Sequence, residues 1–284
     1  MKCFMHYFFL LTILIVMETF STHARSADLD PIEIKIVSDV LRIEPHVKPE
    51  MNFSTLLFLN QQMHPQFNIS FIPASRLREW RELETQPDVC LYNKVKNPAR
   101  EPFAYFSQLP MTAFPPQRLV TSPSFNLPLT VNLEQAINDY GLLIGVIEGR
   151  SYGKHIDDFL MTHKEQFLWL AGKDSASRLR EMLRKHKVDA VIEYSATFID
   201  ENSKDKTNFS FHQLYEAQES VLGFIACAKS PIGKKAITAY NRLLTQPQNQ
   251  QYIIDAHKNA SFGNEAQFIA AALTGLYRAK PAIK

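Results

Sequence analysis

A surplus of charge of either sign is missing from this chain. Across 284 residues, 31 Lys and Arg are set against 29 Asp and Glu, a formal net charge of +2. That balance leaves no electrostatic footprint for nucleic acid or for an anionic membrane surface, so no nucleic-acid partner is expected. Cysteine is scarce, with only Cys3, Cys90 and Cys227. There is no Cys-x-x-Cys pair, no His-Glu-x-x-His, no P-loop, no Gly-x-Gly-x-x-Gly after the first apolar run and no Gly-x-Ser-x-Gly elbow. The seven histidines beyond residue 26 have no close metal-ligand spacing. No metal site, no cofactor and no catalytic residue is therefore expected. Internal repeats and low-complexity tracts are absent as well.

Long hydrophobic runs are also lacking. Phe8 to Val16 is continuous and apolar but too short to span a bilayer. It follows Lys2 and precedes small residues at Thr22 to Ala24 and Ala24 to Ser26, the pattern of an export signal cleaved after Ala24 or Ser26. Residues 1–26 are accordingly set apart as a signal peptide. Without Lys2, Arg25 and Glu18 the net charge of the remainder is +1. Cys90 and Cys227 both sit in apolar strand-like runs. Two buried free thiols are the expectation, with a single disulfide as the alternative in an oxidising compartment.

What is present is an alternation of strand and helix. Ile32, Ile34 and Ile36 alternate in a strand that ends at Val37–Ser38–Asp39. A helix from about Asn52 to Gln62, a strand through Phe67, Ile69 and Phe71, and a helix carrying Leu77, Trp80 and Leu83 follow. Trp80, at helical spacing, is expected in the core. Val89 to Tyr92 is the next strand. This β-α-β-α-β order predicts an α/β fold with a parallel sheet under helices. Pro110, Pro115, Pro116, Pro123 and Pro128 then interrupt any regular helix or central strand. They mark a crossover between two lobes, with a short strand near Arg118 to Thr121. A second α/β run follows, with strands at Leu142 to Ile147, Phe167 to Leu170 and Val188 to Ile192, and a helix start at Ser175. Residues 201–207 read as a polar loop. Strands at Phe209 to Leu214 and Ser220 to Ala228 return, and three helices finish the chain.

Two places carry chemistry. The strand at Val89 opens into a polar loop that reaches Arg100 and then aromatic residues. Open α/β sheets place ligand groups at such strand ends, and a fixed guanidinium suits a small carboxylate; the alternative is a surface arginine in an ion pair. The strand Leu142 to Ile147 leads through Gly149, Arg150 and Ser151 into a helix. That arrangement offers amide N–H groups and a hydroxyl at a positive helix end, for an anion or simply for a helix cap.

The stretch from Val89 through Arg100 to Phe106–Ser107–Gln108–Leu109–Pro110 resembles the bacterial periplasmic amino-acid-binding proteins of solute-binding family 3. The resemblance implies that Arg100 grips a ligand's α-carboxylate. Asn93 to Asn97 replaces the family's Gly-x-Thr-x-Thr. Gly145 to Gly153 is similar to the family's second-lobe turn, which implies that Ser151, with Gly149 and Arg150, completes the carboxylate site. Val188 to Tyr194 resembles the family's Val-Asp-Ala-Val-x-x-Asp, whose last aspartate pairs with the ligand's ammonium. Tyr194 stands at that position and Glu193 one residue earlier; the reading leaves open which of them, if either, takes the role. Glu193 is otherwise a solvated strand-end carboxylate. Asp39 resembles a position that contacts ligand side chains, and Tyr92 is expected to add an aromatic wall.

The implied fold is the type 2 periplasmic binding fold: two lobes, each a mostly parallel sheet flanked by helices, joined by two crossover strands. Residues 27–112 and 216–284 would form the first lobe and 113–215 the second. The implied function is capture of a small amino-acid-like or carboxylate ligand in the periplasm for an ABC transporter permease or a membrane sensor, without enzymatic activity. Two alternatives accompany it. One is a periplasmic lyase of the cyclohexadienyl dehydratase type, with Glu193 as acid or base; the other is a ligand-free interaction protein.

Overall fold

The apolar alternation at Ile32, Ile34 and Ile36 builds β1 (Ile32–Ser38), the strand from which the first sheet grows. The computed structural model describes residues 30–39, 50–195, 198, 209–217, 219–260 and 263–279. Residues 1–26 and the expected loop at 201–207 lie outside the described residues. Residues Ile32–Lys284 form one compact unit.

β1 pairs in parallel with β2 (Phe67–Pro73) and β3 (Val89–Lys94). α1 (Met51–Gln61) and α2 (Arg76–Thr85) connect these strands on opposite faces. β3 is apolar from Val89 to Tyr92 because both of its faces are covered there: Cys90 and Tyr92 pack into one core and Val89 and Leu91 into another. The chain continues through β4 (Ala104–Phe106) and β5 (Thr112–Phe114), then leaves the sheet.

The second sheet takes β6 (Arg118–Thr121), β7 (Thr130–Val131), β8 (Ile144–Ile147), β9 (Phe167–Leu170), β10 (Ala190–Glu193) and β11 (Ser210–Leu214). Their spatial order is β7-β11-β6-β10-β8-β9. α3 (Leu133–Asn138), α4 (Lys154–Thr162) and α5 (Ser175–Arg184) accompany them. Asn132 and Gln135 cap α3 reciprocally. Asp174, rather than Ser175, is the N-cap of α5. β12 (Val221–Ala228) returns to the first sheet, whose order is β2-β1-β3-β12-β4 with β5 also on β12. α6 (Pro231–Leu244), α7 (Pro247–Ala260) and α8 (Gly263–Arg278) then pack on the first sheet. Each sheet is mixed: its parallel strands are joined by one antiparallel strand, β12 in the first and β6 in the second.

The expectation of free thiols is overturned. Cys90 and Cys227 face each other directly in the antiparallel β3–β12 register and form a disulfide, with Cα atoms 4.0 Å apart. Two apolar runs 137 residues apart in sequence read as independent strands, and only their pairing brings the sulfurs together.

The crossover is tightly built. His257 of α7 accepts from the Ala113 amide at 3.0 Å, and its other ring nitrogen donates to Ile253 O at 2.7 Å, so it pins β5. Thr112 donates to Asn93 Oδ1 at 2.7 Å directly beneath Gly223 of β12. A Cβ on Gly223 would stand 2.1 Å from Thr112 Oγ1 and 3.2 Å from the Asn93 Cα. Gly223→Ala is therefore expected to lower stability by about 1–3 kcal/mol through overpacking. Thermal denaturation checks this; an unchanged midpoint would mean the strands have room to separate.

Candidate functional site

The carboxyl ends of β1, β3, β8 and β10 open toward one cleft between the two sheets. There a cavity of about 220 Å³ is lined from both sides. Ligands of open α/β sheets collect outside the carboxyl ends of strands for this reason: the backbone turns away and leaves polar groups exposed. The lining includes Asp39, Tyr92, Arg100, Gly149, Arg150, Ser151, Glu193 and Tyr194, the whole set singled out from the sequence.

Arg100 sits in the turn between β3 and β4. Its guanidinium lies over the Trp80 ring, 4.3 Å from the centroid. One nitrogen donates to Val95 O at 2.9 Å and another to Gly149 O, on the facing lobe, at 3.1 Å. A guanidinium has five N–H groups, so three remain. No carboxylate forms an ion pair with Arg100 among the described residues. Burial pushes its pKa down to about 10, against the pull of Asp157 and Glu79, so it stays charged at neutral pH. Gly149 has φ +79°, in the left-handed region, and a Cβ there would meet Leu77 at 3.2 Å. A glycine lets the turn come close enough to α2 for its carbonyl to reach Arg100.

Four other first-lobe charges at the cavity are paired. Asp39, after β1, contacts Arg76 Nε of α2 at 2.8 Å. Glu79 of α2 is wholly buried; it receives Lys94 and, at 2.7 Å, the Asp39 amide. Burial pushes Glu79 up, with the Lys94 charge working against that rise. Tyr92 is buried and hydrogen-bonded to Ser38.

In the second lobe Glu193 is not a solvated strand-end carboxylate. Arg150 grips it with both terminal nitrogens, at 2.8 and 2.6 Å, and the two side chains are only 9% and 6% exposed. Arg180 of α5 approaches the same carboxylate at 3.7 Å. Burial opposes the charge on Glu193, yet the Arg150 fork, then Arg180, hold its carboxyl below the ordinary range. The sequence left a solvated carboxylate open as one reading because the partner lies 43 residues away, in the turn after another strand. Tyr194 stacks on Phe114 of the crossover strand, with centroids 4.7 Å apart and planes at 22°.

The helix end at Ser151 already holds an anion of the chain itself. Ser151 Oγ donates to Asp157, and the Tyr152 amide donates to the same carboxylate at 2.7 Å. The capping arrangement thus occupies the positive end of α4. Arg150, by contrast, brings the turn's charge into the cleft.

Sequence reasoning missed Arg76, Glu79 and Trp80 on α2, Lys94 at the end of β3, Phe114 on β5 and Arg180 on α5, all of which line the cavity. Trp80 was expected in the core; it is half-buried and carries Arg100. Arg76, four positions back along the same helix face, was the available signal. Among the described residues no His, Cys, Asp and Glu group has metal-site geometry, and no helix is long and apolar enough to cross a membrane.

No family model matches the chain, and no curated protein matches it. Solved structures do. One, reported for glutathione import and the cystine ABC importer of Streptococcus mutans, has a TM-score of 0.63 at 13% identity, over 82% of this chain and 95% of that one. A histidine kinase sensor domain with similarity to periplasmic binding proteins has 0.61 at 12%, over 81% and 95%. An arginine transport system periplasmic binding protein from Legionella pneumophila has 0.57 at 11%, over 81% and 99%. At such identities the likeness speaks to architecture, and the chain has the two-lobed α/β fold of the periplasmic binding proteins.

Proposed function

We propose that this protein is an extracytoplasmic solute-binding protein that closes its lobes over a small carboxylate or amino-acid-like molecule and presents it to an ABC permease or a membrane sensor. Residues 1–26 would direct export to the periplasm. Residues 27–112 with 216–284 would move as one lobe and 113–215 as the other. The observation that carries the reading is Arg100: a half-buried guanidinium without a carboxylate partner among the described residues, held over the Trp80 ring with three N–H groups to offer. Its bond to Gly149 O belongs to the closed arrangement, so a solute touching both lobes favours that arrangement by its differential contacts. The cavity of about 220 Å³ has room for a small solute.

The test is a thermal-shift and calorimetric screen of amino acids, dipeptides and small carboxylates. Arg100→Ala is expected to weaken the best ligand by about 2–4 kcal/mol, roughly 30- to 1,000-fold. Its far-UV circular dichroism should be unchanged. Hits that ignore Arg100→Ala, or no hit at all, would count against the reading. A lyase would need Glu193 as a proton donor or acceptor, and the Arg150 fork occupies both of its oxygens. A shared cavity at the strand ends likewise supports solute binding over an interaction role without a ligand.

A further inference from the structure

We infer that the crossover between the lobes carries an acid-operated release: protonation of the His257 imidazole unpins β5 and lets the closed arrangement open. The inference rests on the solute-binding reading above for what such an opening does, and adds a means of controlling it.

Among the described residues β5 pairs with β12 alone, so one edge of the strand needs partners from elsewhere. His257 of α7 meets that need. It is wholly buried, and its Nε2 lies 3.0 Å from the Ala113 nitrogen. A backbone amide can only donate and a carbonyl can only accept. Nε2 must therefore present its lone pair to Ala113, and Nδ1 must carry the proton given to Ile253 O at 2.7 Å. Both ring nitrogens are committed in the neutral ring. A second proton has one place to go, onto Nε2, where it faces the Ala113 N–H. The charged ring cannot keep both bonds.

The surroundings offer that proton no counter-charge among the described residues. α1, α6, α8 and β5 pack on α7. α1 and β5 carry no ionisable side chain. α6 buries Tyr240 and keeps Lys234, Lys235 and Arg242 at the surface. α8 brings half-buried Tyr277, half-buried Glu265, which accepts from Ser195, and exposed Arg278. On α7 itself Tyr252, Asp255 and Lys258 are exposed. Burial accordingly lowers the pKa of the imidazole, and the bond to Ile253 O works against that. Because the folded value is depressed, the pinned form has its full advantage above the ordinary value of about 6.5 and loses it as pH falls from there toward the folded value. While the pinned ring stays neutral, the unpinned state gains roughly 10-fold at pH 5.5 relative to pH 7.5.

The other anchors of the crossover do not titrate in this range. Met111 donates to Gly223 O at 2.8 Å, Thr112 donates to Asn93 Oδ1 at 2.7 Å, and the Tyr277 hydroxyl, pushed up by burial, donates to Pro110 O at 2.9 Å. The residue after Ala113 is the one that matters for closure. Phe114 lines the cavity and stacks on Tyr194 of the facing lobe. With Ala113 let go, that stack loses its footing in the first lobe.

The test needs no solute. Amide hydrogen exchange of the isotope-labelled protein, corrected for its intrinsic pH dependence, is followed by NMR at pH 7.5 and 5.5. Ala113 is expected to lose about 10-fold in protection at pH 5.5, while Ile34 and Ile36 of β1 keep theirs. The radius of gyration from small-angle X-ray scattering should rise over the same range. His257→Gln retains an acceptor for Ala113 and has no proton to gain, so its profile should be flat. A flat wild-type profile, an equal fall in His257→Gln, a loss that spreads to Ile34 and Ile36, or an unchanged radius of gyration would overturn the inference. If His257→Gln does not fold, the wild-type comparison of Ala113 with Ile34 and Ile36 decides alone. A solute screen without a hit would count against the solute-binding reading and leave these outcomes standing.

Discussion

Arg150→Met is expected to destabilise the protein by about 3–5 kcal/mol, whereas the double replacement Arg150→Met with Glu193→Leu recovers most of that loss. The asymmetry follows from burial. Taking Arg150 away leaves the buried Glu193 carboxylate without its close partner, with Arg180 3.7 Å off as its one remaining ion-pair cation among the described residues. Removing both charges leaves a space that carbon can fill. The pair also has a signature in acid. Its carboxyl is held below the ordinary range in the folded state, so it contributes stability above the unfolded value, about pH 4.3. That contribution is lost as pH falls through the folded value. The double variant should lack this part of the acid transition. Urea denaturation of the four proteins of the cycle at neutral pH supplies the numbers, and equal losses in the single and double variants would show that the pair is not isolated from water.

The second large effect is expected from the disulfide. Cys90 and Cys227 close a loop with a sequence separation of 137 that contains the entire second sheet. Constraining so long a loop lowers the entropy of the unfolded chain, which corresponds to about 2–5 kcal/mol for a native bridge. Reduction, or Cys90→Ala with Cys227→Ala, should lower the melting temperature by roughly 5–15 °C. Thiol titration of the unfolded, unreduced protein should find neither Cys90 nor Cys227 reactive. Two reactive thiols from these positions would refute the bridge.

Much of the architecture could be read in advance, because its signals are local. Alternation at Ile32, Ile34 and Ile36 and the prolines from Pro110 to Pro128 each act over a few residues. Strands at Arg118–Thr121 and Phe167–Leu170 fall where those signals place them. The cleft was partly legible, since Asp39, Arg100, Ser151 and Glu193 all follow strand ends and parallel strands aim those ends one way. What stayed hidden was pairing across distance. Nothing near Glu193 announces Arg150, nothing near Cys90 announces Cys227, and Trp80 looks like any core tryptophan until Arg100 is laid on it. Ser151 shows the converse. Its helix end reads locally as a waiting anion site, and the carboxylate that fills it, Asp157, lies only six residues on.

The Arg100 hydrogen bond to the Gly149 carbonyl has a kinetic corollary. A bond of this kind between the two lobes is worth about 0.5–1.5 kcal/mol to the shut arrangement. On the solute-binding reading, release of a guest then has to break this clasp as well as the guest's own contacts.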